Sequence, residues 1–472
     1  MNRSIAIIGG GITGLTAAYR LTQRGLPVTL YEGSGRTGGV IQSVRRDGYL
    51  AECGPNSILE TSPKITQLVR DLGLEKRRLE SNPSAKNRYL VCHGQLVNMP
   101  ASLGGFLATP LFSWQAKLRL FAEPFIGRAP ANAEESVAEF VERRLGSEFL
   151  ERAIDALVGG IYAGDPKALS VVHGFPKLHA LEQKYGSLIR GQIFGAAERR
   201  RRAEVSKQNA PKFSFDEGLQ VLTDALTGQL GSAVQWNARV QRLTQTPQHW
   251  RVGGLRDGEL FEAEHAAVLF AAPPHRLPEL NLLNQDRVNW RPLAQIHYPP
   301  VASVVLGFRR QDVPHPLDGF GMLIPKREGF SILGTIFSSS LFPNRAPAGH
   351  VTLTSYLGGA RCPELALRPE NELIARTVKD LQTLLRIEGQ PTFEHMTLFA
   401  KAIPQYEIGY GRFKNLMGDL ESAAPGLFLA GHFRDGISLG DSLLSGDAVA
   451  ARIESHLASN NASSFTPAPS LA

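Results

Sequence analysis

The stretch SIAIIGGGITGLTAAYRL, at residues 4–21, decides the fold of this 472-residue chain. Residues 4–8 form a short apolar run that is typical of a buried strand, and residues 13–24 place leucine and alanine at helical spacing. Gly9, Gly11 and Gly14 stand between these two segments with the spacing GxGxxG. A strand, a glycine loop and a helix in this order predict an α/β fold that opens with a Rossmann-type dinucleotide-binding unit.

The glycine loop and the strand after it carry the residues that a dinucleotide needs. The first glycine permits a tight turn, the second lets the backbone approach a pyrophosphate, and the third allows the helix to pack closely on the strand. Residues 28–31 predict the second strand, and Glu32 at its end can accept hydrogen bonds from ribose hydroxyls. The predicted nucleotide-binding residues in this part of the chain are Gly9, Gly10, Gly11, Ile12, Thr13, Gly14 and Glu32.

A second glycine-rich segment, GSGRTGGV at residues 33–40, follows the ribose acid. Its glycines allow further close approach of the backbone, and its arginine adds a cation near the pyrophosphate. The spacing resembles the motif that follows the ribose acid in FAD-containing flavoproteins of the amine-oxidase type. That resemblance implies FAD rather than NAD, and it places these residues near the cofactor: Gly33, Arg36, Gly38, Gly39 and Val40.

Composition and charge narrow the class of protein. Hydrophobic residues make up 43% and charged residues 20% of the chain, which excludes a disordered, collagen-like or coiled-coil protein. The net charge of +7 suits an acidic small molecule or an anionic membrane surface, and no stripe of interleaved aromatic and basic residues favours nucleic acid. The three distant cysteines, Cys53, Cys92 and Cys362, predict neither disulfides nor a metal site. Since the sequence shows no leader and no spanning segment, we expect a cytoplasmic protein.

Beyond the nucleotide loops, the patterns indicate three kinds of segment. A predicted hairpin covers residues 88–99, a mainly helical region covers 102–202, and four strand candidates between 301 and 358 predict an antiparallel meander. A last strand at 427–430 and a last helix at 442–457 complete the pattern. The predicted domains are FAD-binding segments at 1–84, 206–272 and 416–458, substrate-domain segments at 85–99 and 273–415, a helical domain at 100–205 that is a candidate for membrane association, and a flexible tail at 459–472.

Several motifs, in order along the chain, resemble those of the protoporphyrinogen oxidases, a family grouped with the coproporphyrinogen III oxidases. The first is ECGPNS at residues 52–57, which resembles the loop that lies against the flavin in that family. The others are AKNRY at 85–89, GIYAGD at 160–165, GFG at 319–321, IPQY at 403–406 and GISL at 436–439. The resemblance implies an FAD domain built from separated segments, a substrate domain on an antiparallel sheet, and a helical domain.

The resemblance also implies a reaction, the oxidation of protoporphyrinogen IX to protoporphyrin IX in haem biosynthesis. Six electrons would leave in three two-electron steps, each with hydride transfer from a saturated carbon to flavin N5. Molecular oxygen would reoxidise the flavin and give hydrogen peroxide. No histidine has an acidic residue at the sequence spacing that a catalytic pair would need. We therefore expect no general base and a reaction that rests on positioning of the substrate.

The same resemblance implies roles for residues in several motifs. Arg88 would pair a propionate of the substrate, because a guanidinium binds a carboxylate through two parallel hydrogen bonds. On the sequence alone, Arg88 also fits a surface arginine on an edge strand. Phe320, Leu323 and Tyr356 would form the apolar walls of a substrate slot, or they would pack in the core. Gly164 would lie at the edge of the pocket. The further flavin contacts that the resemblance implies are Gly54, Pro55, Asn56, Ser57, Val240, Gly431, Ile437, Ser438 and Leu439.

Three alternatives stay open at this point. Coproporphyrinogen III, with four propionates, would need more cations in the slot than protoporphyrinogen IX. A flavin amine oxidase or carotenoid-type desaturase is a second alternative, although the C-terminal glycine loop offers only Phe433 where amine oxidases place paired aromatics. A flavin-binding module without catalysis is the third. The apolar residues 99–125 predict either a surface that touches a membrane or a packed helical domain, and a homodimer is as open as a monomer.

Overall fold

The computed structural model describes residues 3–130, 133–201, 210–283 and 289–463. The domain boundary that the sequence predicts at 205–206 and residues 464–472 of the predicted tail lie outside these ranges. Residues 459–463 continue the last helix beyond its predicted end, because no glycine or proline interrupts the chain between Gly446 and Pro467.

Twenty-one strands occur in the described residues. They are β1 (Ile5–Ile8), β2 (Val28–Tyr31), β3 (Ser43–Arg46), β4 (Tyr49–Glu52), β5 (Ile58–Leu59), β6 (Arg78–Glu80), β7 (Asn87–Cys92), β8 (Gln95–Asn98), β9 (Lys212–Phe215), β10 (Val234–Gln235), β11 (Ala238–Gln245), β12 (Trp250–Arg256), β13 (Glu259–His265), β14 (Ala267–Phe270), β15 (Asn281–Leu283), β16 (Val301–Arg309), β17 (Gly319–Leu323), β18 (Ile332–Ile336), β19 (His350–Gly358), β20 (Phe393–Phe399) and β21 (Leu427–Leu429).

Seventeen α-helices occur in the same ranges. They are α1 (Ile12–Gln23), α2 (Pro63–Asp71), α3 (Leu103–Ala108), α4 (Trp114–Ala122), α5 (Val137–Arg144), α6 (Ser147–Phe149), α7 (Asp155–Tyr162), α8 (Val171–Gly174), α9 (Pro176–Tyr185), α10 (Leu188–Arg201), α11 (Gln220–Leu230), α12 (Ser338–Leu341), α13 (Pro363–Ala366), α14 (Glu370–Leu385), α15 (Gly411–Ala423), α16 (His432–Asp435) and α17 (Leu439–Ser463).

The strand that opens the chain lies at the centre of a five-stranded parallel sheet with the order β10-β2-β1-β14-β21. Helices α1, α11 and α17 cover one face of this sheet, and α15 together with the four-stranded sheet β13-β12-β11-β15 covers the other. A strand covered on both faces needs apolar residues throughout, and all four residues of β1 are buried. The predicted α/β class, with a Rossmann-type unit at its start, is confirmed.

The second large sheet has seven strands in the order β20-β16-β19-β18-β17-β7-β8. Strands β17, β18 and β19 pair in sequence order as an antiparallel meander, as predicted. The prediction was wrong for β16, which lies beyond β19 because these two nine-residue strands pair along their whole length. The sheet is also not purely antiparallel, because β7 joins β17 in parallel and brings the predicted hairpin into it. Helix α14 packs on one face of this sheet.

Helices α3 to α10 form a region without strands between β8 and β9. Helix α5 begins at a capping box, in which Ser136 and Glu139 each accept the backbone N–H of the other. Arg144, which is fully buried, pairs with Glu123 at 3.0 Å and also with Glu182. Apolar side chains of these helices pack on the face of the seven-stranded sheet that α14 leaves uncovered. The helical region therefore closes one side of the space above that face.

Candidate functional site

The first glycine loop leaves an open space at the N-terminus of α1. A Cβ on Gly14 would collide with the carbonyl of Gly9, so the close contact between loop and helix requires glycine there. A Cβ on Gly11 would instead meet nothing within 4 Å. No side chain caps α1 and its first turn has no acidic residue, so its N–H groups are available to an anion. A pyrophosphate would suit the charge at this end of α1.

Glu32 joins the two glycine-rich segments. Its Oε2 accepts the N–H of Gly10 at 2.8 Å, and its Oε1 accepts the N–H of Ser34 at 2.9 Å. The backbone carbonyl of Glu32 accepts the N–H of Ala238 at 2.8 Å, which brings the start of β11, with the buried Val240, to the same edge. The carboxylate is therefore held at the end of β2, where its remaining lone pairs can accept ribose hydroxyls.

Arg36 folds the second glycine-rich segment. Its guanidinium donates to the carbonyls of Thr37 and Ile41 at 3.2 Å and to that of Gly39 at 2.5 Å. The N–H of Gly38 then reaches a carbonyl of the first glycine loop at 2.8 Å. The arginine thus shapes the loop through its own backbone, a role that the sequence analysis did not assign to it.

The loop at residues 54–57 is fastened to the seven-stranded sheet. The Nδ2 of Asn56 donates to the hydroxyl of Tyr356 at 2.7 Å, and this hydroxyl donates to the carbonyl of Gly54 at 3.4 Å. Burial raises the pKa of Tyr356, so its hydroxyl stays protonated. A Cβ on Gly54 would collide with the carbonyl of Val40, whose own side chain is 48% exposed. The half-buried members of the loop are Gly54, Pro55 and Ser57. The second glycine-rich segment and this loop therefore form one continuous rim.

One face of the seven-stranded sheet lies beneath this rim. Successive residues of a strand point to opposite faces. On β7, Leu90 packs with the helical region whereas Val91 packs with α14, so Arg88 lies on the same face as Leu90. Leu323 also packs with the helical region, and Tyr356 bonds to the loop above the sheet. The fold thus brings Arg88, Leu323 and Tyr356 to one face, between the loop and the helices.

Phe320 and Gly164 are not part of this group of three. An irregularity in β17 between residues 319 and 321 changes the alternation of side chains, and Phe320 packs with Phe342 in a separate apolar cluster. A Cβ on Gly164 would lie 2.6 Å from Oε1 of Gln405, so that side chain already fills the space beside the glycine. Phe320 is half-buried and shares its cluster with Ile336, which lies opposite Gly321 beside Arg88, so its place in the wall of the slot stays a prediction. Gly164 allows close packing of Gln405.

A second cation lies near Arg88. Burial lowers the pKa of Lys212, and the charge of Arg88 lowers it further. Lys212 lies opposite Leu59 in the sheet β5-β9-β6, and the carbonyl of Leu59 approaches Gly440 at the start of α17. The sequence analysis missed this lysine because it belongs to no motif and lies far from Arg88 along the chain. The Nζ of Lys212 donates to the carbonyl of Ala210 at 3.4 Å, and its charge together with that of Arg88 would favour a ligand with carboxylates.

The beginning of α17 lies beside the beginning of α1. Thr13 Oγ1 donates to the carbonyl of Ser442 at 3.1 Å, and Ser445 Oγ accepts the N–H of Gly431 at 3.0 Å. The residues between these bonds that the sequence analysis singled out are half-buried: Ile437, Ser438 and Leu439. The positive ends of two helices therefore meet at the open space.

Two tyrosines hold the short helix α16 that precedes α17. Tyr406 Oη donates to the carbonyl of His432 at 2.5 Å and accepts the N–H of Gly436 at 3.0 Å. Tyr410 Oη donates to the carbonyl of Phe433 at 2.5 Å. The sequence analysis quoted Tyr406 within a motif but gave it no role, and Tyr410 carried no signal. Phe433 is 1% exposed, so its ring packs in the core and does not frame the open space.

The helical region exposes many apolar side chains. They are Leu103, Trp114, Leu118, Phe121, Phe125, Ile193 and Phe194. Phe125 is 84% exposed, whereas Lys117 is turned inward and donates to the carbonyls of Leu107 and Thr109, both at 2.8 Å. None of the helices in the described ranges has the length and hydropathy to span a bilayer. Among the residues that the structure describes, no group of three or more His, Cys, Asp and Glu side chains could hold a metal ion.

Comparisons with known proteins agree with this geometry. The sequence pattern of the family described as flavin-containing amine oxidoreductase matches residues 12–454. Protoporphyrinogen oxidase 2 (chloroplastic/mitochondrial) of Arabidopsis thaliana is 34% identical over 97% of this chain and 95% of its own length. Coproporphyrinogen III oxidase of Bacillus subtilis is 31% identical over 94% of this chain and 97% of its own. A solved structure from Exiguobacterium sp. 255-15 has the same fold, with a TM-score of 0.80 and 24% identity over 96% of this chain and 99% of its own.

Proposed function

Because this chain belongs to the family of flavin-containing amine oxidoreductases, it is an FAD-dependent oxidoreductase, and we propose that it oxidises a porphyrinogen to the corresponding porphyrin. The preferred reaction in this proposal is protoporphyrinogen IX to protoporphyrin IX in haem biosynthesis, with O2 as the electron acceptor and hydrogen peroxide as a product. The names of two curated relatives support the substrate class. The structural observation that supports it best is the loop at 54–57, bonded to the sheet face that carries Arg88.

The residues around the open space fit FAD. The N–H groups at the start of α1 bind the pyrophosphate beside Gly11, and Glu32 accepts the ribose hydroxyls. The exposed side chain of Val40 and the loop at 54–57 border the flavin ring in this proposal. The backbone at 437–439 would also border the flavin, and the positive end of α17 would favour negative charge on it. When bound, the flavin supplies an acceptor for two electrons at a time.

The residues on the sheet face bind and orient the substrate. Arg88 pairs one of its carboxylates, and Leu323 contributes apolar surface that excludes water from one side of the ring. Tyr356 stays protonated because burial raises its pKa, so it anchors the loop at 54–57 and does not act as a base. Catalysis therefore rests on the alignment of a saturated carbon of the substrate with the flavin. In well-oriented systems, alignment of this kind lowers the activation barrier by several kcal/mol.

Coproporphyrinogen III is the second candidate substrate, and Lys212 is the observation that favours it. This substrate has four propionates, and a slot that binds it needs more cations than one that binds the two propionates of protoporphyrinogen IX. Lys212 lies near enough to Arg88 for the charge of the arginine to lower the pKa of the lysine. A second carboxylate of the larger substrate could therefore be paired at the same edge of the slot.

Turnover of both porphyrinogens by the purified holoenzyme tests the proposal. We expect a rise in porphyrin fluorescence in air with either substrate, and faster turnover of protoporphyrinogen IX. Under anaerobic conditions the same substrates should bleach the yellow flavin, and air should restore its colour. An enzyme that oxidises neither porphyrinogen while an amine bleaches its flavin would overturn the assignment in favour of an amine oxidase. A flavin that none of these compounds bleaches would indicate a binding module without catalysis.

We also propose that this protein is cytoplasmic and touches a membrane through its helical region. Trp114 and Phe125 are 65% and 84% exposed, and an apolar surface of this kind normally faces a partner or a lipid surface. Co-sedimentation with vesicles of mixed neutral and anionic lipids tests this contact. The double substitution Trp114→Ser and Phe125→Ser should reduce the bound fraction without changing turnover of porphyrinogen in detergent. Equal binding of the variant and the parent protein would place the contact elsewhere.

A further inference from the structure

A tyrosine hydroxyl interrupts the hydrogen-bond ladder of α16. In a continuing α-helix, the N–H of residue 436 would bond directly to the carbonyl of residue 432. In this chain the hydroxyl of Tyr406 stands between the two groups, because it donates to the carbonyl of His432 at 2.5 Å and accepts the N–H of Gly436 at 3.0 Å. The hydroxyl replaces the next bond of the helix, and α16 ends at Asp435.

The chain changes direction at Gly436 as a result. Its φ is +125°, a conformation that favours glycine, and a Cβ there would lie 2.6 Å from Oδ2 of Asp441. Two residues later, Ser438 and Asp441 each accept the backbone N–H of the other, at 3.2 and 3.1 Å, and so begin α17 with a capping box. The backbone at 436–439 is therefore fixed by Tyr406 at one end and by a local box at the other.

Tyr406 reaches this segment from a different part of the chain. It lies between β20 and α15, in the part of the chain after the seven-stranded sheet, and its own carbonyl accepts the N–H of Ser170 at 2.8 Å. The residue is 3% exposed, and its ring lies 4.5 Å, centroid to centroid, from that of Tyr410 at an angle of 43°. Tyr406 is therefore shielded from any bound ligand and acts on the open space only through the backbone of residues 432–436.

We propose that Tyr406 is a positioning residue for the flavin, whose hydroxyl holds the backbone at 436–439 in the conformation that meets the cofactor. This inference rests on the placement of FAD at the start of α17 that the proposed function includes. In Tyr406→Phe the N–H of Gly436 can bond directly to the carbonyl of His432, which extends α16 by one residue. Both of these backbone groups then still have a hydrogen-bond partner, but residues 437–439 move away from the flavin.

The test compares Tyr406→Phe with Tyr162→Phe as a matched control. Tyr162 is also buried and its ring lies edge-on to that of Tyr406, 6.5 Å between centroids, but its hydroxyl donates to the carbonyl of Gly174 at 2.6 Å and not to the backbone of α16. The measurements are the dissociation constant of FAD from titration of the apoprotein, the visible spectrum of the bound flavin, and the Tm of the apoprotein. We expect Tyr406→Phe to raise the dissociation constant about tenfold, or about 1.4 kcal/mol, and to shift the visible bands. Tyr162→Phe should change neither, and the Tm of Tyr406→Phe should fall no further than that of the control.

Two outcomes would overturn the inference. One is a Tyr406→Phe protein that binds FAD with the affinity and spectrum of the parent. The other is a Tm loss that alone accounts for the weaker binding, since that would make Tyr406 a structural residue. Gly436→Ala perturbs the same segment without touching Tyr406 and should give the same spectral shift. All these readouts follow the flavin, so a parent protein that binds FAD but leaves porphyrinogens unoxidised would refute the proposed function and leave this test intact.

Discussion

Removal of the Tyr356 hydroxyl tests whether the sheet holds the loop at residues 54–57. This hydroxyl accepts the Nδ2–H of Asn56 at 2.7 Å and donates to the carbonyl of Gly54 at 3.4 Å. Asn56 is 8% exposed, so water replaces the lost partner poorly in Tyr356→Phe. The NH2 group of Asn56 would then stay buried with only a long contact of 3.4 Å to the carbonyl of Gly54, while its Oδ1 still accepts the hydroxyl of Ser338.

The size of the effect follows from these distances. A buried polar group that loses its partner destabilises a protein by about 1–3 kcal/mol, whereas a contact of 3.4 Å adds little. We therefore expect Tyr356→Phe to lower the free energy of unfolding by about 1–2 kcal/mol. A loop that is no longer fixed should also misalign the substrate, so kcat should fall about tenfold for each 1.4 kcal/mol of lost transition-state stabilisation. KM should change little, because Arg88 is untouched.

A double-mutant cycle isolates the bond between the two side chains. The proteins are the parent, Tyr356→Phe, Asn56→Ala and the double variant, each unfolded in urea as apoprotein and assayed as holoenzyme. Side chains that share one buried hydrogen bond should show a coupling energy of about 1 kcal/mol. Effects that simply add, with a coupling below about 0.3 kcal/mol, would refute the idea that this bond holds the loop.

Three further changes give distinct outcomes. Arg88→Gln should raise the KM for porphyrinogens about 10- to 100-fold, because it removes a charge-assisted hydrogen bond to the substrate, and FAD affinity should not change. An unaltered KM would contradict the role of Arg88. Lys212→Met should raise the KM more for coproporphyrinogen III than for protoporphyrinogen IX. Gly14→Ala should yield colourless protein, because its Cβ would collide with the carbonyl of Gly9, and retention of FAD absorbance after purification would count against the proposed cofactor site. Burial lowers the pKa of His265 to about 4, so the unfolded chain takes up this proton first as the pH falls. Stability to urea should therefore be complete above about pH 6.5 and decline toward pH 4 by up to about 3 kcal/mol, and His265→Gln should flatten that decline.

The nucleotide-binding unit could be predicted because its signals are local. The strand at the start of the chain, the glycine spacing and Glu32 lie within 32 residues, and each has a recognised period or position. The order of the seven-stranded sheet could not be predicted in the same way. The pairing of β16 with β19 depends on two long strands that are separated by β17 and β18, and nothing in either strand identifies its partner.

The site residues show the same difference between local signals and contacts that only the folded chain makes. Arg88 was singled out because it stands in a motif, and Tyr356 because it stands on a predicted meander strand where the resemblance implies a wall of the slot. Lys212 was missed because only the folded chain brings it near Arg88. Tyr406 stood in a quoted motif, but its role depends on two backbone groups that lie 26 and 30 residues further along. Contacts of that kind have no trace in a single sequence.

The strand order β10-β2-β1-β14-β21 decides when the protein can acquire its cofactor. The edge strand β21 and helix α17 come more than 400 residues after β1, although both border the nucleotide site that β1 and α1 begin. A nascent chain therefore has no complete nucleotide site until residues 427–442 have been synthesised, and flavin can be bound stably only after that point. Products of premature termination before residue 427 lack both elements, so they should emerge as colourless polypeptides for the cell's proteases to remove.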